Sequence, residues 1–178
     1  MFDLDRYIED CRAAIAHGED GQKAIREITA RAVADHGAVL RTLGEPAGGG
    51  LVALHRSPEL TILNVVWQPK MTVMPHNHET WAVIGVYTGA EDNIFWRKLP
   101  GGKIEAAGAK SLRVGDCTAL GRDIVHSVTN PIGKLTGAIH VYRGDFFDIE
   151  RSEWDPEALD ERPYDLEKAK SMFAAAAR

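Results

Sequence analysis

Among the seven histidines of the chain, three fall in arrangements that chemistry can use. Two form the pair in Pro75-His76-Asn77-His78, and the third is His126 in Asp123-Ile124-Val125-His126-Ser127-Val128-Thr129-Asn130. Successive side chains of a β-strand alternate between its faces, so residues two apart point the same way and two imidazoles can bind one ion. A helix would send them to different sides. Imidazole nitrogen suits iron, zinc, copper and nickel, so the histidines argue for a transition metal without choosing one. Taken alone, a His-x-His pair equally describes surface residues or hydrogen-bonded core residues. Cysteine offers no rival site: Cys11 and Cys117 lie far apart with no CxxC pair, which indicates neither a disulfide scaffold nor a cysteine zinc cluster and fits a reducing cytoplasm.

The elements that must position these histidines are legible in outline. At 178 residues the chain is expected to be one domain, residues 1–178, with a sizeable core. From Phe2 to about Val39 apolar residues recur at helical spacing: Phe2, Leu4, Tyr7, Ile8, Cys11, Ala14 and Ile15 form one stripe, and Ile25, Ile28 and Val33 a second. The pattern predicts two helices joined near His17-Gly18 within a helical segment 1–43, whose stripes pack on the core. The run Gly44-Glu45-Pro46-Ala47-Gly48-Gly49-Gly50 breaks that periodicity. Short segments rich in Val, Ile, Thr, Trp and Tyr follow over residues 50–147: LVALHR, LTILNVVW, TWAVIGVYTG, NIFWRKL, DCTAL, IVHSV and LTGAIHVY. Many short strands with turn residues between them predict a mainly β sandwich or barrel, the jelly roll among the candidates. Residues 148–178 are acidic with two prolines and then helix-forming, which predicts a wrapping tail with solvated charges and a short terminal helix.

Composition narrows the function classes. Hydrophobic residues at 44% and charged residues at 26% are ordinary for a soluble globular protein. Twenty-one basic against 26 acidic residues leave a net charge of -5, so attraction to a nucleic-acid backbone is not expected. The first segment, MFDLDRYIEDCRAAIA, carries charges that no secretory core tolerates, and the longest apolar stretch, TWAVIGVYTGA, is too short to span a membrane. The expectation is a cytoplasmic protein without nucleic-acid or membrane partners.

The histidines belong to a longer pattern that resembles the two motifs of the cupin superfamily. In the first, His76, His78 and Gly89 match, Val83 stands at the glutamate position, and Lys70 replaces the leading glycine. In the second, Gly115, His126 and Asn130 match, with Gly121 and Asp123 at a proline and a glycine position. The resemblance implies a double-stranded β-helix, a jelly-roll barrel, with His76, His78 and His126 as metal ligands. Without the glutamate the ligand set is three neutral imidazoles. Such a site is similar to that of the thiol dioxygenases, the cysteine dioxygenase and 3-mercaptopropionate dioxygenase group. The resemblance implies an Fe(II) cofactor, with Zn, Ni or Mn as other candidates, and a small thiol and O2 as substrates giving a sulfinate. A metal-bound thiol loses its proton, and neutral ligands leave room for that negative charge.

Downstream, Ala138-Ile139-His140-Val141-Tyr142 resembles the Ser-x-His-x-Tyr strand of that group, with Ala138 in place of the serine. This implies catalytic roles for Tyr142 and His140, and strand alternation puts residues 138, 140 and 142 on one face. Upstream, Leu54-His55-Arg56 before LTILNVVW is similar to the region carrying a carboxylate-binding arginine, making Arg56 the substrate-binding candidate. Arg143 and Arg97 are weaker choices. The crosslinking cysteine of animal cysteine dioxygenases falls at Val83, so no such crosslink forms. Trp67 and Trp81 are candidates for a pocket wall. The segment from Arg56 to Trp154 further resembles a bacterial group of metal-dependent double-stranded β-helix enzymes related to cysteine dioxygenase. Two alternatives stay open: a metal-dependent cupin enzyme of another class, such as an isomerase, decarboxylase or carbon dioxygenase, and a non-catalytic small-molecule-binding cupin.

Overall fold

The computed structural model describes residues 1–16 and 21–174. Its helical N-terminal segment holds α1 (Leu4–Ile15), α2 (Gly21–Ala34) and α3 (His36–Leu43), one helix more than the apolar periodicity predicts. The extra boundary is at Asp35, whose carboxylate leaves the helical path to accept the backbone N–H of Ala38 and cap α3. The junction expected near His17-Gly18 lies outside the described residues.

Eleven strands follow among the described residues: β1 (Gly50–Arg56), β2 (Leu60–Trp67), β3 (Thr72–His76), β4 (Ala82–Thr88), β5 (Ala90–Lys98), β6 (Ile104–Arg113), β7 (Cys117–Leu120), β8 (Val125–Thr129), β9 (Thr136–Arg143), β10 (Ser152–Trp154) and β11 (Glu161–Pro163). Helix α4 (Leu166–Ala174) closes the described chain. One antiparallel sheet runs β1-β2-β9-β4-β7 and the other β11-β10-β3-β8-β5-β6. Neighbours that are distant in sequence, β2 beside β9 and β3 beside β8, give the jelly-roll order of a double-stranded β-helix. The fold is thus mainly β with helices at both ends.

Strands β2, β4 and β9 of the first sheet are buried on both faces, which explains why they read as nearly unbroken apolar runs. Leu63, Val65 and Trp67 of β2, Ala82, Ile84 and Val86 of β4, and Ala138 and Tyr142 of β9 point between the sheets, against Val73, Met74 and Val128 of the second. The alternate residues Ile62, Val83, Ile139 and Val141 pack outward on Tyr7, Cys11, Ile25, Val33 and Val39 of the three helices. The apolar helix stripes therefore cover the barrel wall. No helix among the described residues is long and apolar enough to cross a membrane.

Two glycine positions of the motifs have local reasons. Gly89, at the β4–β5 corner, has φ +80, and a Cβ there would lie 2.2 Å from the Thr136 hydroxyl that both accepts from and donates to the Ala90 backbone. Lys70, where the motif has glycine, nevertheless adopts the left-handed φ of 62. The tail differs from the expected solvated wrap. Strand β10 joins the second sheet beside β3, with Glu153 opposite His76, and Arg151 and Glu153 are buried. Its placement brings Arg151, Tyr164 and Phe173 to the barrel interior.

Candidate metal centre

His76 is the last residue of β3 and pairs directly with His126 of β8, which sets their side chains next to each other on one face. The strand has ended before His78, so the His-x-His pair is not a run of strand alternation. The cross-strand pair with His126 supplies the geometry, and the extended exit from β3 returns His78 to it. Ring centroids lie 4.7 Å apart for His76–His126, 4.9 Å for His78–His126 and 5.2 Å for His76–His78. The three candidate ligand nitrogens lie within 4.8 Å of one another.

Two contacts orient the rings. The Nδ1 of His76 lies 2.9 Å from the Met74 carbonyl and that of His126 lies 2.8 Å from Asn93 Oδ1. A carbonyl can only accept, so both Nδ1 atoms carry the proton and both Nε2 atoms keep a lone pair, that of His126 lying 3.3 Å from His78 Nε2. Burial removes the remaining competition from protons. It lowers the His76 pKa to about 4 and, followed by the neighbouring histidines, holds His78 and His126 well below the usual imidazole value. Three neutral nitrogen donors converging in a buried site fit a divalent transition metal, and among the described residues no carboxylate belongs to the cluster.

Val83 does not stand where a glutamate ligand would. It packs on the helices, and the interior residues at that level are Ala82, opposite Tyr142, and Ile84, opposite His140. The motif spacing counted back from Gly89 also falls on Ala82. The candidate ligand set is therefore all-histidine, because an alanine stands at that interior position.

Residues 138, 140 and 142 share the interior face of β9. The Tyr142 ring stands edge-on to His78 at 5.1 Å, and its hydroxyl is 2.9 Å from His140 Nδ1. Burial raises the Tyr142 pKa far above that of a free phenol, so the hydroxyl keeps its proton. Ala138 sits opposite Val65 and Val86, an apolar neighbourhood in which a serine hydroxyl is not replaced.

Arg56 is not brought to this group. At the end of β1 it is half-exposed, donates from Nε to Asp145 (2.8 Å) and from Nη2 to Asp148 (3.2 Å), and lies over the Phe147 ring. Arg143 is exposed and Arg97 pairs with Glu105. Of the two tryptophans, Trp67 lines the cavity and Trp81 packs on the helix side. The arginine beside the site is one the sequence reading passed over, Arg151. It is 8% exposed, and its guanidinium carbon lies 4.1 Å from the Phe146 centroid and 4.3 Å from that of Tyr164. Both rings line the histidine cavity. Its Nη1 donates to the carbonyls of Phe146 and Ile149, while Nε and Nη2 are buried with no hydrogen-bond partner among the described residues. The signal available in the sequence was aromatic: Trp154, Tyr164 and Phe173 are out of place in a solvated tail.

The three histidines, His140 and Tyr142 line a cavity walled by apolar side chains such as Leu63, Val65, Val73 and Phe173. Its volume is about 30 Å³, where one water needs about 10 to 15 Å³. The ligand such a space accepts is small.

No family model matches the sequence. Solved structures match part of the chain at low identity. One is an RmlC-like cupin family protein with a double-stranded β-helix fold from Methanocaldococcus jannaschii, with 9% identity and a TM-score of 0.49, covering 58% of this chain and 87% of that one. A conserved protein with a double-stranded β-helix domain from Klebsiella pneumoniae has 14% identity and a TM-score of 0.45, covering 60% and 82%. Oxalate decarboxylase from Bacillus subtilis has 15% identity and a TM-score of 0.41, covering 50% of this chain and 22% of that one.

Proposed function

We propose that the protein is an Fe(II)-dependent dioxygenase that converts a small thiol acid to its sulfinate, R–SH + O2 → R–SO2H. The observation that carries this reading is the juxtaposition of an all-neutral histidine triad with a buried arginine that has two donors to spare. A carboxylate held by Arg151 Nε and Nη2 would satisfy both orphan donors in the bidentate geometry a guanidinium favours. A substrate anchored there extends its thiol toward His76, His78 and His126. An iron(II) ion bound by these three residues would acidify the thiol and carry the electron exchange with dioxygen. The absence of a carboxylate ligand supports a thiolate substrate, because the site then has negative charge to gain.

The remaining residues hold the reactants. Tyr142, undissociated and hydrogen-bonded to His140, sets its ring edge-on to His78. Trp67, Phe146 and Phe173 keep bulk water from the cavity. Arg56 has no part in binding on this reading. Cys11 and Cys117 stand as free thiols, which suits a reducing cytoplasm. The test is anaerobic loading with ferrous iron followed by oxygen uptake with cysteine, 3-mercaptopropionate and cysteamine. Uptake is expected with a thiol that bears a carboxylate and not with cysteamine. Iron-loaded protein that consumes no oxygen with any of the three would overturn the proposal.

A further inference from the structure

Glu91 is a carboxylate that neither the ligand set nor the substrate contacts use. It lies on β5, where alternation places Glu91 and Asn93 on the face that looks into the barrel with His126 and Val128. Its side chain is fully buried, and among the described residues its one basic neighbour is His140, whose Nε2 lies 3.5 Å from Glu91 Oε2. Among the described residues neither of those two atoms has another hydrogen-bond partner. The other oxygen, Oε1, accepts the Asn93 amide N–H at 3.1 Å, and Asn93 Oδ1 in turn meets His126 Nδ1 at 2.8 Å.

We propose that Glu91 is the positioning residue of the site, one carboxylate that sets the tautomers of both His140 and His126. The argument is a count of donors and acceptors. An ionised carboxylate can only accept, so the orphan Nε2 of His140 satisfies it by carrying the proton. His140 Nδ1 is then the lone-pair nitrogen and must accept from Tyr142, which directs the phenol proton along a defined bond. On the other branch, Oε1 takes the Asn93 amide N–H, which turns the Asn93 oxygen toward His126. That oxygen accepts the Nδ1–H and leaves Nε2 for the metal. Glu91 thus orients His140 through Nε2, the nitrogen that does not meet Tyr142, and links it to a candidate metal ligand. The inference rests on the roles proposed for His126, His140 and Tyr142, but its test needs neither metal nor thiol.

The test is long-range 1H–15N correlation spectroscopy of the metal-free protein, with His140 and His126 assigned by loss of their signals in His140→Gln and His126→Gln. The wild type should show His140 protonated at Nε2 only and His126 protonated at Nδ1 only. Glu91→Gln keeps the shape but has a single acceptor oxygen. That oxygen serves Asn93 or His140, while the amide NH2 faces the other, so one of the two histidines must change to the opposite tautomer. Wild-type His140 protonated at Nδ1, whether as the other tautomer or as imidazolium, would overturn the proposal. So would a folded Glu91→Gln protein in which both histidines keep the wild-type pattern. The wild-type spectrum decides even where the variant does not fold. A protein that oxidises no thiol yet shows the tautomer change would refute the proposed function and leave Glu91 as assigned.

Discussion

Replacing Arg151 by methionine removes the charge that the proposed substrate carboxylate needs while keeping a flexible apolar stem between the Phe146 and Tyr164 rings. The two Nη1 bonds to the Phe146 and Ile149 carbonyls fix the guanidinium, so the spare Nε–Nη2 edge is presented in advance and little ordering is needed on binding. Truncating one partner of a buried charge-assisted pair costs about 2 to 5 kcal/mol, which corresponds to a roughly 30- to 5,000-fold weaker affinity for the thiol acid. The loss should appear in the KM of oxygen uptake and in the dissociation constant of the thiol acid for iron-loaded protein under nitrogen. Iron content should stay at the wild-type level, because Arg151 is not a ligand. Arg151→Lys, which retains the charge but not the fork, should fall between. Arg56→Met should leave KM unchanged, since its half-exposed pairing with Asp145 and Asp148 is a surface matter. A folded Arg151→Met protein with wild-type affinity, or an Arg56→Met protein with weakened affinity, would refute the assignment.

His126→Ala should abolish metal retention through gel filtration, whereas Tyr142→Phe should keep the metal and slow turnover. Metal analysis beside steady-state rates separates the two. Asn93→Ala removes the acceptor that holds the His126 Nδ1–H and should weaken metal affinity about 10- to 100-fold in a competition titration with a chelator. The metal-free protein should lose stability on acidification. The folded-state pKa of His76 is depressed from 6.5 to about 4, so the stabilising contribution is complete above the unfolded value and is lost as pH falls between them. From about pH 7.5 to about pH 5 His76 alone should contribute a loss of about 2 kcal/mol. Urea unfolding midpoints read this, and His76→Gln should remove its share of the dependence while His78 and His126, also held low, keep theirs.

What the sequence disclosed of this molecule followed periodicity. The helix stripes and the apolar runs of β2, β4 and β9 are large, repeated signals because each is a face buried against another layer. Strand β6 was not legible, since its mostly exposed Ala, Gly and Lys side chains lack alternation and its pairing with β5 is a backbone matter. The break between α2 and α3 depends on one Asp35 cap. At the site, His76, His78, His126, His140 and Tyr142 were readable because a motif fixed their types and order. Val83 was misplaced by one residue, and in a strand a single step exchanges the interior for the exterior. Arg151 escaped because its role depends on the tail folding back as β10, a tertiary event with no local spacing. Glu91 escaped for a related reason: its two partners come from β5 itself and from β9, and nothing in the sequence brings β9 near.

The most direct test of the account is the product formed under 18O2. Iron-loaded protein incubated with 3-mercaptopropionate or cysteine should yield the sulfinate with both of its new oxygen atoms labelled, as mass spectrometry reads, and no product should form from metal-free protein. Recovery of unmodified thiol, or of disulfide alone without label, from protein carrying one iron per chain would contradict it.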